Sequence, residues 1–388
     1  MKGKWRSIAG YVLLALGYLF VFWLQQDPLR VEQIYSRGLY PLLMERYSRL
    51  IGRLPFSLAE VMVVLFFLGM FFLIVYALYS LIRKGLPKAS TLLSLIKKSA
   101  LLVASLYLIF QLSWGLNYHR IPFAQQANLA TTPTSVEELA ALCTSLMQQA
   151  NNLRGFVAQD ERGVFRLSET GSNLYASAQK GYDAASNDFP MLARTFGTPK
   201  GVLLSSYWSY TGTSGMYFPL TGEANVNTTT PAHLIPVTMT HEMAHQHGYA
   251  REDEANFIGY LTAIHHPSPD FQYSATMLAL NNAMRQLYRA DPKRWEILRG
   301  GYSDGILRDL TDHRFYQERY QGRLWETSSK VNNQYLILNS QSDGVQSYGR
   351  MVDLLLSYRR QDPSRFDDRV NHSSFFPSLE TEIQKPSS

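Results

Sequence analysis

The stretch Thr238-Met239-Thr240-His241-Glu242-Met243-Ala244-His245-Gln246-His247-Gly248 reads His-Glu-x-x-His, with uncharged flanks and no proline inside it. On an α-helix, residues four apart differ by about 40° in rotation and about 6 Å in rise, so His241 and His245 can both reach one tetrahedral zinc ion. Glu242 projects from the adjoining face, where a carboxylate can take a proton from a metal-bound water and pass it on. The plain alternative is a chance match in a core helix. Against it, two buried imidazoles beside a carboxylate need compensation, and a divalent ion supplies it most simply.

A catalytic zinc takes three protein ligands and keeps a fourth position open. Gly248 is expected to end the helix, because glycine tolerates the left-handed conformation that turns the chain back. The next helix begins near Arg251 and offers Glu252, Asp253 and Glu254 as oxygen donors. Residues two apart on a helix point about 200° from each other, so Glu252 and Glu254 cannot both face the ion. Glu252 is the expected third ligand, since Asn256 follows one turn later on its face, placed to hydrogen-bond a ligand histidine. Glu254 is the alternative. His247 is rotated to a different face and is not expected to bind.

Outward from the motif, the chain from Ala232 to the end reads as successive helices: through His247, Arg251 to Ile264, Phe271 to Tyr288, and Gly344 to Tyr358. Upstream, Ser135 with Glu138 three residues on forms a capping-box pattern ahead of Leu139, Leu142 and Leu146. A helical region follows over residues 168–196, and Gly201 to Tyr210 reads as a strand. Gly212, Gly215, Pro219 and Gly222 punctuate a loop. Glu223 to Thr229 is extended but polar, which suits an edge strand or a loop beside a cleft. The soluble part, residues 121–388, is expected to be α+β, mainly helical with a small sheet.

The N-terminal part is different. Three long, nearly charge-free runs, at about 8–24, 58–82 and 100–116, each approach the roughly 20 residues that cross a bilayer core. Residues 1–120 therefore read as a multi-pass anchor in a cell membrane. Lys2, Lys4 and Arg6 precede the first run, and Arg83, Lys84, Lys88, Lys97 and Lys98 crowd the second loop, which favours a cytoplasmic N-terminus and an extracytoplasmic soluble domain. Arg30, Arg37, Arg46, Arg49 and Arg53 in the first loop count against this, diluted by Asp27, Glu32 and Glu45. The net charge of +6 is carried largely by these flanks, so the basic balance does not call for nucleic acid, and no nucleic-acid motif is present. A single cysteine, Cys143, excludes an internal disulfide framework and a cysteine-based metal site.

The helix with His241, Glu242 and His245, followed by one bearing Glu252-Asp253-Glu254-Ala255-Asn256, resembles the gluzincin metallopeptidases, whose second motif is Glu-x-x-x-Asp. Asn256 stands where that pattern has Asp, and the interval between the motifs is much shorter than is typical. The chain looks especially like an uncharacterised bacterial family of multi-span membrane proteins with an extracytoplasmic zinc-peptidase domain. That likeness covers nearly the whole chain, including the exit Trp114-Gly115-Leu116-Asn117-Tyr118. It implies a zincin-like fold, one zinc ion, a peptide or protein substrate, and a lipid bilayer as the other partner. It further implies a substrate-pairing edge strand at Glu223, Asn225 and Asn227, and an oxyanion donor from a downstream helix, for which Tyr348 and Arg350 are the candidates. The competing reading is a non-catalytic sensor or assembly protein with a structural metal site, which would be closed by four protein ligands and would not need Glu242. Proteolysis within the membrane is excluded by hydropathy, because the motif lies far from the three apolar runs.

Overall fold

The computed structural model describes residues 2–130, 132–339, 341 and 350–366, with residues 2–9 as helix backbone. We number the longer helices α1 (Lys2–Gln25), α2 (Tyr40–Gly52), α3 (Leu58–Lys84), α4 (Ala89–Ser113), α5 (Val136–Arg154), α6 (Ile235–Gln246), α7 (Glu252–Ile264), α8 (Pro269–Ala290), α9 (Asp304–Tyr320), α10 (Arg323–Leu338) and α11 (Met351–Gln361). Among the described residues the chain is mostly helical, with one three-stranded sheet of β1 (Lys200–Gly201), β2 (Gly215–Phe218) and β3 (Glu223–Val226), in the order β1-β3-β2.

Helices α3 and α4 are long and apolar enough to cross a membrane. Ser57 caps α3 by accepting from the Glu60 N–H, and Arg83 and Lys84 close its last turn, where cations complement the helix dipole. The third expected span falls within α1, and Gly10–Gln25 qualifies only together with Pro28–Gly52, across a bend of 111°. Helix α4 starts before the expected position of about 100 and stops at Ser113. The exit that follows it is a 3-10 turn, Gly115–His119, with Gly115, Leu116, Asn117 and Tyr118 buried against the rest of the chain.

Packing crosses the expected boundary near residue 120. One apolar cluster unites Val21, Leu24, Val31, Tyr40, Trp114 and Leu116 with Phe196, Tyr217 and Ala250. The segment between α1 and α3 is folded: a short helix Pro28–Arg30 runs through a π-helical stretch, Val31–Leu39, into α2. The larger core gathers α5, α6, α7, α8 and α11 around Phe257, Leu261, Tyr273 and Leu355.

Two expectations about the sheet are corrected. Of the expected strand at 201–210 only Gly201 lies in a strand, as the second residue of β1; Ser205–Tyr210 is a short helix. The reason lies in α3, where the carboxylate of Glu60 accepts from the N–H groups of Leu203 and Leu204 at 2.9 and 2.6 Å and turns the chain. Glu223 to Asn227 is not an edge, because β3 is the central strand, parallel to β1 and antiparallel to β2. Its polar side chains are buried but paired within the protein. Glu223 meets Lys200 at 2.7 Å and accepts from the N–H groups of Leu58 and Ala59 at the start of α3. Asn225 donates to the carbonyls of Glu223 and Met216, and Asn227 to that of Thr213.

Candidate metal centre

Helix α6 ends as expected. Gly248 has φ +81°, its N–H donates to His245 O at 2.9 Å, and the Tyr249 N–H donates to Ala244 O at 3.1 Å, the two bonds of a Schellman turn. This reversal does two things for the site. It brings the Tyr249 carbonyl within 2.7 Å of His245 Nδ1, so Nδ1–H donates there and Nε2 is the nitrogen that faces Glu252. It also starts α7 at Glu252, directed back at α6. Close approach of the two helices depends on Gly259, where a Cβ would meet the His241 backbone at 3.1 Å.

The result brings three side chains together. Glu252 Oε2 stands 3.3 Å from His241 Nε2 and 3.6 Å from His245 Nε2, and all three ligand atoms lie within 4.8 Å of one another. Donors roughly 2.0–2.2 Å from a tetrahedral ion are about 3.3–3.6 Å apart, so the spacing fits zinc. The donor chemistry fits as well: His241 Nδ1, Glu242 Oε2 and Glu252 Oε2 are buried without hydrogen-bond partners among the described residues. His241 and Glu252 keep 13% and 12% of their side-chain surface exposed, so the group is open on one side. Burial alone disfavours charge on His245, but Glu252 and Glu242 carry its pKa up to about 9. Burial likewise works against the Glu252 carboxylate, and the two histidines hold it well below the usual range.

Glu242 is buried, and burial raises its pKa against the pull of the two histidines. Its carboxylate lies against β2. A Cβ at Gly215 would overlap Glu242 Oε1, and the Tyr217 backbone N–H works to lower the carboxylate's pKa. The Asn227 N–H donates to Ser214 O, which sets the ladder's parity: Met216 and Phe218 bond toward β3, while Gly215 and Tyr217 present backbone groups outward. The edge strand beside the site is therefore β2, in the glycine-punctuated stretch expected to be a loop.

The other expected site residues lie elsewhere. Glu254 points away from the histidines; it accepts from the Phe123 N–H at 2.9 Å, and burial with Asp253 nearby pushes its pKa up to about 7. Asn256 is buried but orients neither histidine: Tyr249 O takes the Nδ1 of His245, and that of His241 is unpaired. Arg350 lies 3.7 Å from Asp253. Tyr348 lies outside the described residues. His247 is no ligand, its ring nitrogens meeting the carbonyls of Met243 and Arg194.

Several contributors escaped the sequence reading. The Trp114 ring stands 5.8 Å from that of His245 and 4.7 Å from that of Tyr217. Tyr118 donates to the Tyr335 hydroxyl at 3.1 Å, and Tyr335 belongs to the downstream helix α10. Burial, with Glu252 adding, raises both phenol pKa values, so both stay protonated donors. Arg120 donates to Gly248 O at 3.0 Å, covers the Tyr249 ring at 4.2 Å, and is held by two 2.9 Å bonds to buried Glu32. The exit stretch 114–118 was visible as an aromatic cluster; nothing in the sequence linked Glu32 to Arg120.

The family described as "Protein of unknown function (DUF3810)" matches residues 35–356, and the chain belongs to it. No curated protein matches the chain. No solved structure matches it.

Proposed function

We propose that this member of the DUF3810 family is a membrane-anchored, zinc-dependent metallopeptidase. The observation that carries the reading is the convergence of His241, His245 and Glu252 within 4.8 Å, open on one side, with buried Glu242 beside them against the outward edge of β2. A closed structural site would not need that carboxylate or that opening.

Bound in this group, zinc would lower the pKa of water and polarise a carbonyl. The protein's own residues do the rest. Gly215 and Tyr217 offer main-chain hydrogen bonds to an extended substrate, a mode of recognition with little sequence preference. Glu242 takes the proton of the attacking water and returns it to the leaving amine; its raised pKa suits that exchange. Tyr335, held by the hydrogen bond it accepts from Tyr118, supplies a neutral hydroxyl donor on the Glu252 side, where charge develops on the substrate oxygen. The carbonyl of Tyr249 fixes the tautomer of His245.

An extracytoplasmic location for the site agrees with the basic loop between α3 and α4. Several arginines of the opposite loop are engaged locally, Arg30 with Asp27, Arg37 with Glu32 and Arg49 with Glu45. The test is hydrolysis of a peptide library by the purified full chain and by Glu242→Gln. The variant is expected to keep its zinc and lose roughly 10²–10⁴-fold in rate. Equal rates would remove Glu242 from the mechanism and, with it, the peptidase reading.

A further inference from the structure

The ends of the apolar helices meet the catalytic domain at one place. Trp114 follows directly on α4, and its ring stands 5.8 Å from that of His245. At the start of α3, Leu58 and Ala59 are bound by Glu223 of β3, and Glu60 holds the backbone of Leu203 and Leu204. The candidate metal centre is thus about one side chain beyond the end of one membrane helix, and the sheet rests on the end of another. The polar layer on each side of a bilayer core is only roughly 5–7 Å deep, so a site this close to a helix end falls within it.

The surface at that level has the matching chemistry. Leu203 is 84% exposed just before the short helix Ser205–Tyr210, and Tyr207 on that helix is 70% exposed; Glu60 ties the start of this segment to α3. Helix α2 buries Tyr40, Met44 and Ser48 against the domain and turns Leu43 and Leu50 outward, with Arg46 and Arg53 exposed beside them. The bend of 111° after α1 sets Pro28–Gly52 close to perpendicular to α1, the attitude of an interfacial helix between two spans. Leucines directed into acyl chains, with arginines reaching the phosphates, are the composition such helices use. Scattered exposed leucines need no explanation, but these are contiguous with the membrane-crossing helices. Tyr47 of α2 also donates to Leu220 O in the β2–β3 turn, which places the substrate-pairing edge beside this face.

We propose that the face formed by α2, Leu203 and Tyr207 is seated in the lipid headgroup layer, and that the site beside it cleaves polypeptide segments close to a membrane anchor. The seating stands on the geometry alone; the substrate class rests on the peptidase reading. To test it, the full chain in a Cys143→Ser background is spin-labelled at Leu203→Cys, Leu43→Cys or Ile297→Cys and placed in phosphatidylcholine and phosphatidylglycerol vesicles. Ile297 is 74% exposed on the helix Pro292–Arg299, which packs on α5 and α8 away from the membrane helices. Labels at 203 and 43 are expected to collide more with oxygen than with a water-soluble nickel chelate, and the label at 297 the reverse. The same aqueous exposure at all three positions would overturn the seating. Two co-reconstituted substrates then carry one scissile sequence, either directly beside a transmembrane anchor or behind a long flexible linker. The anchored-proximal form is expected to be cut at least roughly tenfold faster, since its effective concentration at the headgroup layer is higher. Equal cleavage would overturn the substrate class. Lipid-facing labels with neither substrate cut would overturn the peptidase reading and its substrate class, while upholding the seating.

Discussion

In the proposed peptidase, Gly215 matters through what it lacks. A Cβ there would overlap the Glu242 carboxylate, while the candidate ligands His241, His245 and Glu252 lie on the neighbouring helices. Gly215→Ala is therefore expected to retain zinc and lose at least roughly tenfold in hydrolysis, as removal or misplacement of a general base does. Loss of zinc together with rate would mean that the substitution disturbs the whole site. His233 allows a second prediction. Burial, with His313 and Arg154 adding, pushes its pKa down to about 3, whereas an unfolded histidine titrates near ~6.5. A depressed folded pKa means that stability is intact above the unfolded value and is lost as pH falls from there toward 3. At pH 5 the loss from this one group is about 2 kcal/mol. The melting temperature of His233→Gln should fall less between pH 7 and pH 5 than that of the parent chain; parallel declines would refute the assignment. At this scale the sequence was informative about which side chains come together. Helical rotation showed that Glu252 and Glu254 cannot both face the histidines, and the structure brings Glu252 to them while Glu254 accepts from the Phe123 N–H. It misjudged Asn256, because the orienting acceptor for His245 is a backbone carbonyl, which no side-chain pattern reveals.

Among the elements, the turn between α6 and α7 depends on chain far away in sequence. Arg120 donates to Gly248 O and stacks on Tyr249, and Glu32, in the π-helical stretch, holds Arg120. Arg120→Met would release the turn that positions the Tyr249 carbonyl. Zinc affinity is expected to drop roughly 10–100-fold, as when a partner that orients a metal-ligating histidine is lost. Competition with a chromophoric chelator measures it; unchanged affinity would show that the turn holds without Arg120. The elements themselves were unequally legible. Helices α6, α7 and α8 were expected where they occur, because periodicity and Gly248 specify them locally. The run 201–210 was expected as a strand on its apolar residues. It is mostly helical because Glu60 fixes the backbone at Leu203 and Leu204, just ahead of the helix, and its exposed Leu203 and Tyr207 match the membrane-facing surface proposed above better than a core strand. Strand β3 was expected at an edge because it lacks an apolar face. It lies at the centre because Lys200 and the start of α3 satisfy Glu223, contacts set by the tertiary structure.

Across the whole molecule, the long apolar helices and the candidate metal centre pack into one structure. The family match over residues 35–356 likewise spans the segment before α3, both long apolar helices and the site. Composition made the apolar helices evident, but not that the segments joining them fold into the site's support; that depends on Tyr40, Arg120 and Trp114 meeting α6, the α6–α7 turn and β2 in space. Experiments on the metal centre thus call for the full chain. The most direct test of the account is the zinc content of the purified full-length protein, beside Glu252→Ala and Glu254→Ala, by elemental analysis after dialysis. One zinc per chain is predicted for the parent and for Glu254→Ala, with strong loss in Glu252→Ala. A parent chain without stoichiometric zinc, or a Glu252→Ala variant that binds as well as the parent, would contradict it.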